Sequence, residues 1–215
     1  MNYRHAFHAG NFADVLKHVV LMMLVEHLKK KPAPFFYLDT HAGGGTYDLS
    51  LGESQRSGEY KNGIGRLLEF PEAALAQEIA DYVRLVKACA GPARSAITAY
   101  PGSPTIVAKM RRLTDRMVLA ETHAREAQAL RSSLGWQKLV SIIESDGYAA
   151  VKAQLPPREN RGLVLIDPPF ELATALLGVG QIEVAADASV DRVGLDLGAR
   201  VAGQGQPDRA VGRAQ

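Results

Sequence analysis

The most informative segment of this chain reads Gly162-Leu163-Val164-Leu165-Ile166-Asp167-Pro168-Pro169-Phe170. Its first five residues form an apolar run that is typical of a strand buried on both faces of a parallel sheet. The two consecutive prolines end this strand and stiffen the turn that follows it. Asp167 and Phe170 are therefore expected at the carboxyl end of a parallel strand, where open α/β sheets hold their ligands.

Segments with strand and helix character alternate on the amino-terminal side of this strand. Further strands are predicted at 35–38, 117–120 and 139–144, and helices at 105–113, 124–134 and 148–154. Strand and helix alternate four times, which predicts an α/β fold with a doubly wound, Rossmann-like parallel sheet.

A helix precedes the first strand, and an insertion follows it. The helix is predicted to begin at a cap formed by Asn11 or Asp14 and to end near residue 31, before two prolines. Residues 53–104 interrupt the alternation and predict a mostly helical insertion with a periodic segment at 71–90. A length of 215 residues predicts one domain that carries this insertion.

The composition is typical of a cytoplasmic globular protein. Cys89 is the single cysteine, which excludes an internal disulfide and fits a reducing compartment. The apolar run at 19–25 is far shorter than the ~20 residues of a membrane span. The amino-terminal sequence does not have the pattern of a secretion signal, so none is expected.

The first 31 residues carry an uneven share of the charge. The net charge of the chain is only +2, but this segment holds five Lys or Arg residues against two acids, with four of the six histidines. The mixture of rings and cations suits stacking on bases and pairing with phosphates. The alternative is an arm that only caps the first helix and carries a few surface cations.

Three polar sites follow the predicted strands. The glycine-rich segment 39–45 is predicted to approach a ligand closely and to open a helix, although it lacks the G-x-G-x-x-G spacing and a plain tight turn is the alternative. Glu121 is placed to accept both hydroxyls of a ribose, or is a solvated carboxylate. Asp146 is placed to hold an adenine amine while Gly147 leaves room for the ring, or the pair forms a simple turn.

The segment that begins at Asp167 predicts a fourth site with its own chemistry. Hydrogen bonds from an aromatic amine to the Asp167 carboxylate and the Pro168 carbonyl would make the nitrogen more tetrahedral and more nucleophilic, and Asp167 could then take up the proton. Phe170 supplies a flat face for an extruded base. The alternative is a strand terminus followed by a rigid turn. The four residues resemble the D/N-P-P-Y/F signature of amino-methyltransferases, which use S-adenosylmethionine.

The resemblance extends well beyond this signature. The chain resembles the RlmJ family of bacterial 23S rRNA adenine-N6 methyltransferases over residues 1–171, in the motifs YRHAFHAGNFADVLKH at 3–18, YLDTHAG at 37–43, RSGEY at 56–60, YPGSP at 100–104, ETH at 121–123, DG at 146–147 and RGLVLIDPPFE at 161–171.

The resemblance implies a class I S-adenosylmethionine-dependent methyltransferase fold with an inserted helical subdomain. It implies that the cofactor is bound by His18, His41, Ser103, Glu121, Asp146, Gly147 and Asp167. It makes Asp167 the catalytic residue and assigns RNA contact to Tyr3, with His5 and Lys17 as helpers, beside Pro168 and Phe170. It also implies a monomer that needs no metal and no membrane, and a substrate of 23S rRNA largely free of ribosomal protein, methylated at one adenine.

The resemblance ends near Glu171, where the composition also changes. Every aromatic residue lies at or before Phe170, and residues 171–215 contain seven glycines. We interpret this as a shifted reading frame or a truncated copy, and expect missing or atypical C-terminal strands, a poorly packed segment at 172–215, low stability and impaired activity. The predicted domains are then 1–52 with 105–171 for the methyltransferase unit and 53–104 for the insertion.

Two other functions stay open at this point. A DNA adenine-N6 methyltransferase would share the chemistry of Asp167, and a non-catalytic RNA-binding remnant would share the binding residues. A nicotinamide oxidoreductase is disfavoured, because the glycine spacing is wrong for it.

Overall fold

The computed structural model describes residues 5–90 and 98–168, together with the backbone of 181–186 and 191–196. The α-helices of these residues are α1 (Phe12–Lys29), α2 (Gly52–Ser57), α3 (Ile64–Leu68), α4 (Gln77–Ala90), α5 (Ser103–Met110), α6 (Ala124–Leu134) and α7 (Gly147–Gln154). The strands are β1 (Phe36–Asp39), β2 (Thr46–Asp48), β3 (Ala99–Pro101), β4 (Arg116–Glu121), β5 (Val140–Glu144), β6 (Gly162–Ile166), β7 (Gln181–Ala186) and β8 (Asp191–Asp196).

Six strands form the central sheet in the order β5-β4-β1-β6-β7-β8. The first four are parallel, and Phe36 at the start of β1 lies beside Arg116 of β4 and Gly162 of β6. This register brings the carboxyl ends of β1, β4 and β6 to one edge of the sheet. The prediction of a doubly wound parallel sheet is thereby confirmed.

The sheet continues past β6 with strands of the opposite direction. β7 pairs with β6 and β8 pairs with β7, both antiparallel. Strands are therefore present after β6, and the expectation that they are atypical stays a prediction. The packing expected for 172–215 stays a prediction, because the side chains of that segment lie outside the described residues.

Strands β1, β4 and β6 are buried because helices cover both faces of the sheet, whereas β5 at the edge is partly exposed. On one face, Leu21 and Val25 of α1 pack with Tyr37 and Leu163. On the other face, Phe36 and Val164 pack with Ala150 of α7 and their neighbours. Strands buried on both faces need continuous apolar runs, which is the pattern that identified β6 in the sequence.

The amino terminus of α1 lies at the edge of the sheet that the carboxyl ends of β1, β4 and β6 form. The Asn11 side chain caps the helix by accepting a hydrogen bond from the Asp14 amide at 2.9 Å, so Asn11 is the cap. At the other end, Arg161 donates to the carbonyl oxygen of Leu28 at 2.7 Å. The helix therefore runs antiparallel to the strands, with Asp14, Lys17 and His18 near the carboxyl ends of β1 and β6.

Helices α2, α3 and α4 lie between residues 52 and 90, in the segment predicted to be mostly helical. A small sheet that was not predicted joins the end of this segment to the residues before it. β2 and β3 pair antiparallel, with Tyr47 opposite Tyr100. The glycine-rich turn leads into β2, so the prediction that it opens a helix is wrong. Gly43 and Gly45 have φ angles of +60° and +81°, and this left-handed backbone directs the chain out of a helical path.

No helix among the described residues combines the length and the apolar character that crossing a membrane requires.

Candidate active site

A cavity of about 340 Å³ opens at the carboxyl ends of β1, β4 and β6. Six of the seven residues predicted to bind a cofactor line it: His41, Ser103, Glu121, Asp146, Gly147 and Asp167. His5 and Lys17, predicted from the resemblance to help at the RNA, line it as well. His41, Glu121, Asp146 and Asp167 meet here because each lies at or just after the end of a parallel strand.

Asp167 is held by an ion pair with Lys17. The Lys17 ammonium donates a hydrogen bond of 2.7 Å to Oδ2 of Asp167, and its Nζ lies 2.7 Å from Oδ1 of Asp14. Burial alone would raise the pKa of Asp167, but the Lys17 ammonium outweighs it and holds that pKa below its ordinary value. Burial acts to lower the pKa of Lys17, but Asp14 and Asp167 outweigh it and raise that pKa well above its ordinary value. Asp167 is therefore a carboxylate and Lys17 a cation at neutral pH.

Asp14 connects this ion pair to the residues that precede α1, which we call the amino-terminal arm (5–11). Its Oδ2 accepts the Gly10 amide at 3.0 Å and lies 3.1 Å from Nε2 of His5. Burial opposes ionisation of Asp14, but Lys17 and the nearby histidines keep its pKa well below the ordinary value. A buried carboxylate with this many donors is an anchor for the chain around it. Asp14 lies three residues before Lys17 and four before His18, so the i, i+3 and i+4 spacing was a sequence signal for this cluster.

Some of the hydrogen-bond acceptor positions of Glu121 are used by groups of the protein. Its Oε2 accepts the Gly43 amide at 2.8 Å, and its Oε1 accepts the His123 amide at 2.8 Å. The His123 ring nitrogen Nδ1 also lies 2.9 Å from Oε1. A carboxylate offers about four acceptor positions, so one remains on Oε2, and Oε1 becomes available if the 57% exposed His123 side chain turns away.

The Asp146-Gly147 pair begins helix α7. Asp146 Oδ1 caps the helix by accepting the Ala149 amide at 2.9 Å. A Cβ on Gly147 would lie 2.4 Å from the carbonyl oxygen of Thr40. The absence of a side chain therefore lets α7 approach the end of β1, a packing role that the sequence interpretation did not include.

Two hydrogen bonds fix the chemistry of His41. The Thr40 hydroxyl donates to the carbonyl oxygen of Leu165 at 3.0 Å, and it lies 2.8 Å from Nδ1 of His41. Because its one hydrogen is used, the hydroxyl must accept from Nδ1, which leaves Nε2 as an acceptor. Burial lowers the pKa of His41, so its ring is neutral.

Ser103 is held by a buried acid at the end of β1. Its hydroxyl donates a 2.7 Å hydrogen bond to Oδ2 of Asp39, which also accepts the Tyr37 hydroxyl at 2.9 Å. Burial raises the pKa of Asp39. Asp39 and Tyr37 therefore orient Ser103 at the wall of the cavity.

Comparison with known proteins identifies the family of the chain. The sequence model of the family described as "Ribosomal RNA large subunit methyltransferase D, RlmJ" matches residues 32–194. The chain belongs to this family.

Relatives that are each called "Ribosomal RNA large subunit methyltransferase J" support the assignment. The protein from Haemophilus influenzae is 49% identical over 172 residues, which is 80% of this chain and 60% of the relative. The protein from Escherichia coli is 42% identical over 174 residues, which is 81% of this chain and 61% of the relative. The chain thus spans about three fifths of the length of these curated relatives.

A solved structure supports the fold. The crystal structure of a protein from Legionella pneumophila superposes with a TM-score of 0.68 at 38% identity, over 76% of this chain and 58% of that one.

Two of the predicted site residues do not line the cavity, and two others lie outside the residues that the structure describes. His18 is fully buried beside Tyr100 and does not line the cavity, so its contact with a cofactor stays a prediction. Pro168 is half-buried directly after Asp167. Tyr3 and Phe170 lie outside the described residues, and their contacts with RNA stay predictions.

Proposed function

We propose that the protein transfers a methyl group from S-adenosylmethionine to N6 of one adenine in 23S rRNA. The observation that carries this proposal is the ionised Asp167 carboxylate, fixed by Lys17 at the wall of the cavity and followed at once by Pro168. Membership of a family of large-subunit rRNA methyltransferases supports the choice of RNA. We further propose that the protein is a cytoplasmic monomer that needs no metal.

The residues around the cavity fit the cofactor. A volume of about 340 Å³ falls within the roughly 300–1,000 Å³ of small-molecule pockets. The open acceptor position of Glu121 suits a ribose hydroxyl, and Nε2 of His41 and the Ser103 hydroxyl offer further polar contacts. Asp146 and Gly147 would hold the adenine end. When bound, S-adenosylmethionine supplies an electrophilic methyl group on its sulfonium.

Asp167 would both orient the amine and take up its proton. Its Oδ2 is bound to Lys17, so the amine hydrogen bond would go to Oδ1, with the second hydrogen on the Pro168 carbonyl. Two acceptors in these positions direct the nitrogen lone pair away from the base and toward the methyl donor. As the N–C bond forms and the methyl–sulfur bond breaks, the positive charge would pass from sulfur to the amine nitrogen, which would then release a proton to the Asp167 carboxylate.

Lys17 would control the charge of Asp167 and the position of Oδ2. An ammonium 2.7 Å from the carboxylate keeps the carboxylate ionised before the reaction. His5, Tyr3 and Phe170 are proposed to hold the extruded base and its neighbours by stacking and polar contact.

The test is methyl transfer from labelled S-adenosylmethionine to protein-free 23S rRNA, in parallel with duplex DNA of mixed sequence. We expect N6-methyladenosine in the RNA only, and a loss of at least about a hundredfold for Asp167→Asn, which keeps the shape but removes the charge. Asp81→Asn, an exposed position in α4, is the matched control and should leave the rate unchanged.

Three other results of this assay would contradict the proposal. Methylation of the DNA but not the RNA would assign the chain to DNA. Binding of cofactor and RNA by a folded protein without transfer would make it a binding remnant. An active Asp167→Asn protein would place the chemistry elsewhere.

A further inference from the structure

A buried chain of hydroxyl and imidazole groups leads from the insertion to α1. The Tyr82 hydroxyl of α4 lies 2.8 Å from the Tyr100 hydroxyl of β3, and Tyr100 lies 2.9 Å from Nδ1 of His18. All three side chains are fully buried. The other ring nitrogen of His18, Nε2, is buried without a hydrogen-bond partner and lies 3.8 Å from Oδ1 of Asp14.

The surroundings determine which nitrogen of His18 carries the hydrogen. Burial lowers the pKa of His18 to about 3, so the ring is neutral and has one N–H. A hydrogen on Nε2 points toward the Asp14 carboxylate, which is favourable, whereas a lone pair on Nε2 would face that negative charge. With the hydrogen on Nε2, Nδ1 accepts from the Tyr100 hydroxyl, and Tyr100 in turn accepts from Tyr82.

The hydrogen-bonded chain Tyr82–Tyr100–His18 and the Lys17 ion pair are both adjacent to one oxygen of Asp14. The Oδ1 of Asp14 that faces His18 is the same oxygen that lies 2.7 Å from the Lys17 ammonium. Lys17 then binds Asp167 at 2.7 Å. The Tyr100 hydroxyl restrains the His18 ring at a distance of 3.8 Å from Asp14, which leaves Oδ1 to Lys17.

We propose that Tyr100 is a positioning residue for methyl transfer, acting through His18 and Asp14 on the pairing of Lys17 with Asp167. Tyr82 supports it by donating to its hydroxyl. The inference rests on the proposed function, since it names residues outside the cavity that set the geometry inside it. It also gives the insertion a role in the reaction, because both tyrosines belong to that subdomain.

The loss of the Tyr100 hydroxyl has a definite expected result. Without it, Nδ1 of His18 loses its buried donor, and the ring is free to turn until Nε2–H bonds directly to Oδ1 of Asp14. The Asp14 carboxylate then binds the Lys17 ammonium less strongly. The ammonium moves closer to Asp167 and blocks the oxygen that the adenine amine would bind. The charged and titratable groups that act on this cluster include His5, Asp14, Lys17 and Asp167, together with Tyr47 beside Tyr100 and Cys89 beside Tyr82.

The first measurement does not depend on activity. In the wild-type protein, nitrogen NMR at pH 7 should show His18 protonated at Nε2 and accepting at Nδ1. Tyr100→Phe should shift both the Nδ1 resonance of His18 and the Nζ resonance of Lys17. Tyr60→Phe, which removes the hydroxyl of a tyrosine in the same subdomain that bonds Gln55, should shift neither.

The second measurement is kinetic. Tyr100→Phe should lower kcat for methyl transfer about tenfold, as a small displacement of a positioned group does. Affinity for S-adenosylhomocysteine should stay within about twofold, because an interaction made only during the reaction affects kcat rather than binding. Tyr60→Phe should match the wild type in both.

These results separate the proposal from the proposed function. A wild-type protein without methyl transfer overturns the function, while the Lys17 resonance still decides the coupling. A hydrogen on Nδ1 of His18 in the wild type, an unmoved Lys17 resonance, or an unchanged kcat in Tyr100→Phe each overturns the coupling. If Tyr100→Phe does not fold, Tyr82→Phe keeps the donor to His18 and should shift the same resonances by less; no shift overturns the proposal.

Discussion

At the scale of single residues, the proposed chemistry depends on the charge of Asp167. Burial favours its neutral form, and the Lys17 ammonium reverses that preference. The pKa of Asp167 is thus depressed, so the carboxylate persists as the pH falls until it passes below the ordinary range for aspartate. The reaction needs this carboxylate to accept a proton, so the rate should be insensitive to pH around neutrality and fall only in acid.

Lys17→Met should move this acid limit to higher pH. Removal of the ammonium leaves burial as the dominant influence, so the pKa of Asp167 should rise above its ordinary value. The measurement is kcat against pH at saturating RNA. Lys61→Met, at an exposed lysine of the insertion, is the matched control and should keep the wild-type profile. An acid limb in the same place for Lys17→Met and wild type would show that Lys17 does not set the charge of Asp167.

Single residues also show where sequence reasoning ended. Asp167 and Glu121 were found because the sequence places each at the end of a strand, and strand ends converge in a doubly wound sheet. His41 was assigned only by the family resemblance. Asp14 was assigned only as a possible helix cap, although it holds Lys17 and the arm. His18 was assigned to the cofactor by resemblance, and that contact stays a prediction. Its burial beside Tyr100 was not foreseen, because Tyr100 comes from a distant strand whose pairing with α1 cannot be read from one sequence.

At the scale of elements, the long regular segments were predicted well. The bounds of α6 and β6 agree with the sequence interpretation, since each has a clear period and a clear stop. The β2–β3 pair was missed because each strand has three residues, and about fifty residues separate them. Such short strands carry too little pattern to be recognised, and their pairing is decided by tertiary contact.

The amino-terminal arm is joined to the insertion by a close backbone contact. The Ile64 amide donates to the carbonyl oxygen of Gly10 at 2.9 Å, and a Cβ on Gly63 would lie 2.1 Å from that oxygen. The arm carries His5, which contacts Asp14. Residue 63 therefore has to be glycine for the arm to lie against α3.

Gly63→Ala should separate the arm from the insertion. We expect a loss of about 1–3 kcal/mol in the free energy of unfolding, faster hydrogen exchange at the Ile64 amide, and weaker methyl transfer. Gly52→Ala, also in the insertion, is the control, because its Cβ would meet nothing within 4 Å. Equal exchange rates at Ile64 in the two variants would contradict the contact.

At the scale of the whole molecule, three parts meet at one cavity. The parallel sheet supplies Glu121, Asp167 and the end of β1, α1 supplies Lys17, and the insertion supplies Ser103. No one of these parts contains a complete site. This explains why the family motifs are spread over the first 171 residues although the cavity that they build is small.

The most direct test of the central claim is a crystal structure of the protein with S-adenosylhomocysteine and adenosine bound. The account predicts the cofactor ribose on Glu121, its sulfur facing Asp167, and the adenosine N6 within hydrogen-bonding distance of Asp167 Oδ1 and the Pro168 carbonyl oxygen. A cofactor bound away from the carboxyl ends of β1, β4 and β6, or an adenosine whose N6 lies far from Asp167, would contradict it.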